Sequence, residues 1–258
     1  MKIVAWIAAI VVIGALVAAL GVAVVAQEPQ AAIPADSEYA GSKLCGMCHK
    51  DEKTAFAETK HPKAEPLAGT DTPWKYATGW DRATGQAQEP GVQCEACHGR
   101  GKTHVGAKTE DKKTLIINPL NLDEPDKITS ICAQCHSYYT PKEGTAPAAF
   151  TPGENLFEKI DLLPVEEGKA MQQVNEFVTS KHYTEKHMTC IQCHTSHSEG
   201  IQEHNLRKTV PDLCVQCHHE EADIAKHTEG HTMKAKEGDT CVTCHMPNGV
   251  HTFAKPPK

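Results

Sequence analysis

Twelve cysteines stand in this chain of 258 residues, and every one belongs to a Cys-x-x-Cys-His unit. The six units are Cys45–Cys48–His49, Cys94–Cys97–His98, Cys132–Cys135–His136, Cys190–Cys193–His194, Cys214–Cys217–His218 and Cys241–Cys244–His245. A disulfide framework in a secreted chain has no need of a histidine after every second cysteine. Structural zinc would combine Cys-x-x-Cys pairs in twos, and the adjoining histidine would again have no purpose.

The spacing has a chemical reading. Cysteines three apart lie on one side of a helical turn, so both sulfurs reach the two vinyl groups along one porphyrin edge. The histidine that follows can swing under the ring and bind iron from one face, which is how a c-type haem is attached. Six units therefore predict six covalently bound haem c groups. Composition agrees: aromatic residues make up only 5% of the chain, and a large block of its 40% hydrophobic residues falls in the first 26 positions. What remains is too thin to fill an ordinary core and needs cofactors to hold it together. The expected fold is mostly irregular with short α-helices, its core formed by packed covalent haems.

Ile3 to Ala26 is an unbroken apolar run between Met1-Lys2 and Gln27-Glu28. As a helix it would extend about 36 Å, enough for a hydrocarbon layer of about 30 Å. Val24-Val25-Ala26 also resembles a signal-peptidase site. Residues 1–26 thus read as a cleaved signal peptide or a retained membrane anchor; both place the remainder in the periplasm or another extracytoplasmic space. Residues 27–42 are rich in Ala, Pro and acidic side chains and read as a flexible stalk. The formal net charge of −7 excludes nucleic acid as a natural partner.

Successive motif histidines are separated by 49, 38, 58, 24 and 27 residues, a repeated unit without a strict period. The widest gap holds Pro141, Gly144, Pro147, Pro152, Gly153 and Pro164, which marks a loop. This divides the chain into a three-haem part over 43–140, a linker loop over 141–165 and a second three-haem part over 166–258. Haems packed across the boundary should prevent the two parts from being independent. Apolar positions predict an amphipathic helix over 166–182 and short helices over 51–59 and 211–225. No stretch alternates as an extensive sheet would.

Ten histidines remain beyond the six in the motifs: His61, His104, His182, His187, His197, His204, His219, His227, His231 and His251. That is more than enough for a second histidine on every iron. Met47, Met171, Met188, Met233 and Met246 are rival ligands, outnumbered or poorly placed. His197 lies three residues beyond His194, a span of roughly 10 Å. That is too short to reach the opposite face of the same iron, so as a ligand it should serve a neighbouring haem. His104 and His251, six residues after a motif histidine, should do likewise.

Gly41-Ser-Lys-Leu-Cys-Gly-Met-Cys-His with Thr59-Lys-His61 resembles the opening of the cytochrome c-554 type of multihaem cytochrome, and of the decahaem cytochromes of outer-membrane conduits. Gly91-Val-Gln-Cys-Glu-Ala-Cys-His-Gly with His104, and Ser180-Lys-His182 with Cys193-His-Thr-Ser-His197, resemble later segments. The pair Cys214–His218 and Cys241–His245 is similar to that group's doubled attachment motif, with His231 ten residues before Cys241 and His251 after the last unit. The resemblance implies that His61, His104, His182, His197, His231 and His251 are the distal iron ligands.

The leading expectation is a hexahaem electron carrier of extracytoplasmic respiration rather than an enzyme. It would be supplied by redox proteins or a quinol-oxidising complex, with an acceptor that the sequence does not specify. The alternatives are an oxidoreductase acting on a small nitrogen or sulfur compound at a five-coordinate haem, and a subunit of a haem filament or outer-membrane conduit. No Cys-x-x-Cys-Lys variant and few arginines (Arg82, Arg100, Arg207) favour the carrier. Protein matured in a host with haem-attachment machinery should carry six covalent haems by intact mass and pyridine haemochrome; fewer in fully matured material would overturn the motif reading.

Overall fold

The structure, a computed structural model, describes residues 39–64, 91–146, 150–197, 203–229 and 235–253. The expected signal or anchor and most of the expected stalk lie outside these residues. Among the described residues, no helix is long and apolar enough to cross a membrane.

Short helices joined by long irregular connections make up the described chain, as the sequence predicts. The N-terminal part contains α1 (Ser42–Cys48), α2 (Lys50–Glu58), α3 (Cys94–His98), α4 (Lys102–Gly106) and α5 (Pro125–His136). The C-terminal part contains α6 (Gln173–Phe177), α7 (Lys181–Thr184), α8 (Cys190–Cys193), α9 (Val210–Val215), α10 (Ile224–His227) and α11 (Cys241–His245). Between the two parts lies one antiparallel pair, β1 (Tyr139–Pro141) with β2 (Ile160–Leu162), in which Tyr139 faces Leu162 and Pro141 faces Ile160. The longest of these helices, α5, starts on Pro125, whose missing N–H costs nothing at a first helical position.

The principal apolar core is small and sits at the middle of the sequence. Ala133 of α5, Phe150, Leu156, Ile160 and Val174 pack together, with Tyr139, Phe157, Leu162 and Val178 around them. Three of these five core residues come from 141–165, the segment expected to be a linker loop. Its prolines and glycines do break regular structure, yet its apolar side chains tie α5 to α6. Gly153, at φ +98°, lies so close to Ile117 that a Cβ there would stand 2.9 Å from Cδ1. Asn175 completes the junction: its amide donates to the Tyr138 and Leu163 carbonyls at 2.8 Å each and its oxygen accepts from Tyr138 N–H at 2.9 Å.

The single helix expected over 166–182 is broken. Met171 adopts a left-handed φ of 61°, and the buried Gln172 side chain takes the main-chain N–H and C=O of Glu166. Ser180 then caps a new helix through Tyr183 N–H. These local hydrogen bonds compete with helix propagation, which apolar spacing alone does not register. The stretch 211–225 is likewise divided between α9 and α10.

Residues 39–42, expected as the end of a free stalk, are held by Glu95. Its carboxylate lies inside the second motif, is 6% exposed, and accepts from Ala40, Gly41 and Gly101 N–H at 2.7, 2.9 and 2.6 Å. A buried carboxylate is tolerated when its lone pairs are met in this way. Glu95→Ala strands these donors and should lower stability by about 1–3 kcal/mol in denaturant unfolding of the haem-loaded protein. Glu95→Gln, which keeps one acceptor oxygen, should lose less.

Candidate functional site

Each Cys-x-x-Cys-His unit sits on or at the end of a helical turn. Cys45 and Cys48 lie in α1, Cys94 to His98 form α3, Cys132 to His136 end α5, Cys190 and Cys193 bound α8, Cys214 lies in α9, and Cys241 to His245 form α11. None of the twelve cysteines is in a disulfide. Thr189 and Thr240 precede the fourth and sixth units and cap them, the residues answering at the third helical position being Gln192 and Thr243. The positions between the cysteines therefore close their own turn.

Other residues between the cysteines join unit to unit. Gln134 donates to the Ala96 carbonyl at 2.8 Å, linking the third unit to the second. α1 packs on α3, α3 on α5, α5 on α8, and α9 on α11. The Cys132 thiol of the third unit and the Cys190 thiol of the fourth interact, the first pushed well up in pKa and the second down. The third and fourth units thus lie against one another where α5 packs on α8.

The histidines fall into six facing pairs. Ring centroids are 6.3 Å apart for His49 and His104, 5.9 Å for His98 and His197, and 6.3 Å for His136 and His61. They are 6.1 Å apart for His194 and His251, 6.0 Å for His218 and His182, and 6.1 Å for His245 and His227. Every pair consists of one motif histidine and one histidine from elsewhere in the chain. Among the described residues, no three His, Cys, Asp or Glu side chains converge as a metal-holding group.

Main-chain contacts hold several of these rings by Nδ1. His98 donates to the Ile117 carbonyl at 2.6 Å, and Ile117 N–H returns a bond to the His98 carbonyl at 3.1 Å. His104 donates to Lys112 C=O at 2.9 Å, His194 to His204 C=O at 3.0 Å, and His136 to the Gln173 side chain at 3.1 Å. Such outer contacts fix the tautomer of a metal-binding imidazole. Burial also pushes His61, His98, His136, His182, His194 and His251 below the ordinary imidazole value, which favours the neutral ligand form. Phe253, at a strained φ of 52°, lies 4.3 Å from the His182 ring and 6.3 Å from the His251 ring, and packs on Phe177.

These residues fit haem c. A metal–imidazole bond of roughly 2 Å on each side would set ring centres about 6 Å apart. That is the spacing of all six pairs, and each motif histidine brings its own cysteine pair beside the gap.

His197 faces His98 rather than His194, and His104 and His251 likewise face motif histidines other than those they follow. The sequence reading did not select His227, which faces His245. His231 itself lies outside the described residues. His227 ends α10, beyond the helix expected over 211–225, so no local pattern marked it. His204 supplies its carbonyl to His194. His187 and His219 are exposed and form none of these six pairs.

Residues 182–223, which contain the fourth and fifth units, match the doubled CXXCH motif family. The crystal structure of the outer cell wall cytochrome OcwA is similar with a TM-score of 0.54 and 19% identity, over 84% of this chain and 80% of that one. An undecahaem cytochrome from the S-layer of Carboxydothermus ferrireducens is similar with a TM-score of 0.45 and 18% identity, over 86% of this chain and 53% of its own. Among curated proteins, none matches.

His61 is placed by a close approach that only glycine permits. Gly91 has φ +70°, a Cβ on it would meet the Pro62 carbonyl oxygen at 2.2 Å, and Val92 N–H donates to the His61 carbonyl at 3.0 Å. Gly91→Ala should therefore lower the unfolding midpoint of the haem-loaded protein, the left-handed backbone alone costing about 1–2 kcal/mol. Gly106→Ala in α4, where a Cβ meets nothing within 4 Å, should leave stability equal or raise it by up to about 1 kcal/mol.

Proposed function

We propose that this multihaem c-type cytochrome holds six haems, each between two histidines, and works as an electron carrier outside the cytoplasm. The observation that supports this most directly is the pairing: all six motif histidines face a second histidine, and each second histidine is different. Haem iron, when bound, supplies reversible one-electron redox chemistry.

The chain's own residues have three tasks. The cysteine pairs fix six porphyrins covalently, so that cofactor spacing follows the packing of α1 on α3 on α5 on α8. His104, His197, His61, His251, His182 and His227 close the faces opposite His49, His98, His136, His194, His218 and His245, leaving no open coordination position for a substrate. Histidine in place of methionine as the second ligand favours low potential. The acidic surface suits docking to basic patches on redox partners, with a quinol-oxidising complex or another redox protein as donor. The apolar run at 3–26 and the outer cell wall cytochrome among the structural neighbours support an extracytoplasmic location.

Electron paramagnetic resonance of the oxidised protein tests this. All six centres should be low-spin, and carbon monoxide and cyanide should bind poorly. His227→Ala should keep six haems but create one high-spin centre that binds carbon monoxide, whereas His231→Ala and His219→Ala should leave every centre low-spin. A stoichiometric high-spin signal in the unaltered protein would favour an open-faced oxidoreductase instead.

A further inference from the structure

The five-residue helix α6 touches two adjacent histidine sites with chemically different groups. Gln173 presents its neutral amide oxygen to His136 Nδ1 at 3.1 Å. One turn on, Glu176 presents a carboxylate to His251: Oε2 accepts the His251 main-chain N–H at 2.8 Å and lies 3.8 Å from Nδ1 of the same ring. Glu176 is only 5% exposed. Its other oxygen accepts from Gln172 Nε2 at 3.1 Å, and among the described residues no lysine or arginine pairs with it. His251 Nδ1 is buried and makes no hydrogen bond; the Gly249 carbonyl and Glu176 both face the ring without reaching bonding geometry.

A buried negative charge beside an imidazole that binds metal makes the ligand more electron-rich and stabilises the oxidised metal. A neutral amide does this much less. The two sites are neighbours, because α5, which ends on His136, packs on α8, which His194 follows.

We propose that Glu176 is a tuning and positioning residue that holds the haem between His194 and His251 at a lower reduction potential than the haem between His136 and His61. α6 thereby sets a potential step at the junction of the two halves. This rests on the ligand pairs proposed above.

The test is a spectroelectrochemical titration of the full haem-loaded chain with paramagnetic resonance of each low-spin signal. His251→Ala first identifies the centre, which should become high-spin; if every centre stays low-spin, the ligand assignment itself fails and the proposal with it. In Glu176→Gln, six low-spin haems should remain. The potential of that one centre should rise by at least a tenfold change in its reduction equilibrium, about 59 mV for one electron. Its low-spin signal should shift, and Glu176→Asp should restore most of the difference. Gln173→Glu gives an independent reading that does not depend on the Glu176 variants folding: the potential of the His136 centre should fall. Six unchanged potentials in Glu176→Gln, or an unchanged His136 centre in Gln173→Glu, would overturn the proposal.

Discussion

The facing of one histidine against another, at a distance that leaves room for a metal ion, ties the rest of this structure together. The pairs join segments that no ordinary core would hold. His61 faces His136, His98 faces His197, and His194 faces His251, so the N-terminal part, the middle and the last described turn are linked by these pairs. Among the described residues, the principal apolar cluster gathers only a few residues around Ala133, Leu156, Ile160 and Val174. A chain of this size with so small a core must draw cohesion from other contacts. Among the described residues, the six histidine pairs are such contacts.

That dependence explains the work done by residues inside the motifs. In Cys-x-x-Cys-His the chemistry prescribes the cysteines and the histidine and leaves the two intervening positions free. Glu95 uses its position to anchor the entry of the chain, Gln134 to bind the neighbouring unit, and Gln192 and Thr243 to close their own turns. Each position lies between the two cysteines of its unit, so a long-range contact made there fixes that unit's orientation relative to the rest of the chain. Local capping and long-range spacing are thus set by the same few side chains.

α6 shows how the small protein core and the sites meet. Val174 and Phe177 bury the helix, Asn175 fastens it to the connection between the halves, and Gln173 and Glu176 reach two different histidines. Five consecutive residues therefore carry packing, connection and ligand contacts together. The sequence concealed this, because apolar spacing merged the segment into one longer helix.

The sequence by itself determined the cofactor class, the six Cys-x-x-Cys-His units and the irregular, short-helical fold, because covalent attachment demands a fixed local pattern of cysteines and histidine. The length of chain between His194 and His197 also required that His197 serve another site if it is a ligand at all. Which histidine faces which was decided only by tertiary structure. A distal ligand needs no particular neighbours in sequence, only a ring delivered to the right place by remote contacts such as Val92 on His61. For the same reason spacing did not single out His227, which faces His245, and a proline-rich segment that reads as a linker supplies three of the five residues of the principal apolar cluster. Local pattern fixes what binds on one face; the opposite face is set by packing, which one-dimensional spacing does not encode.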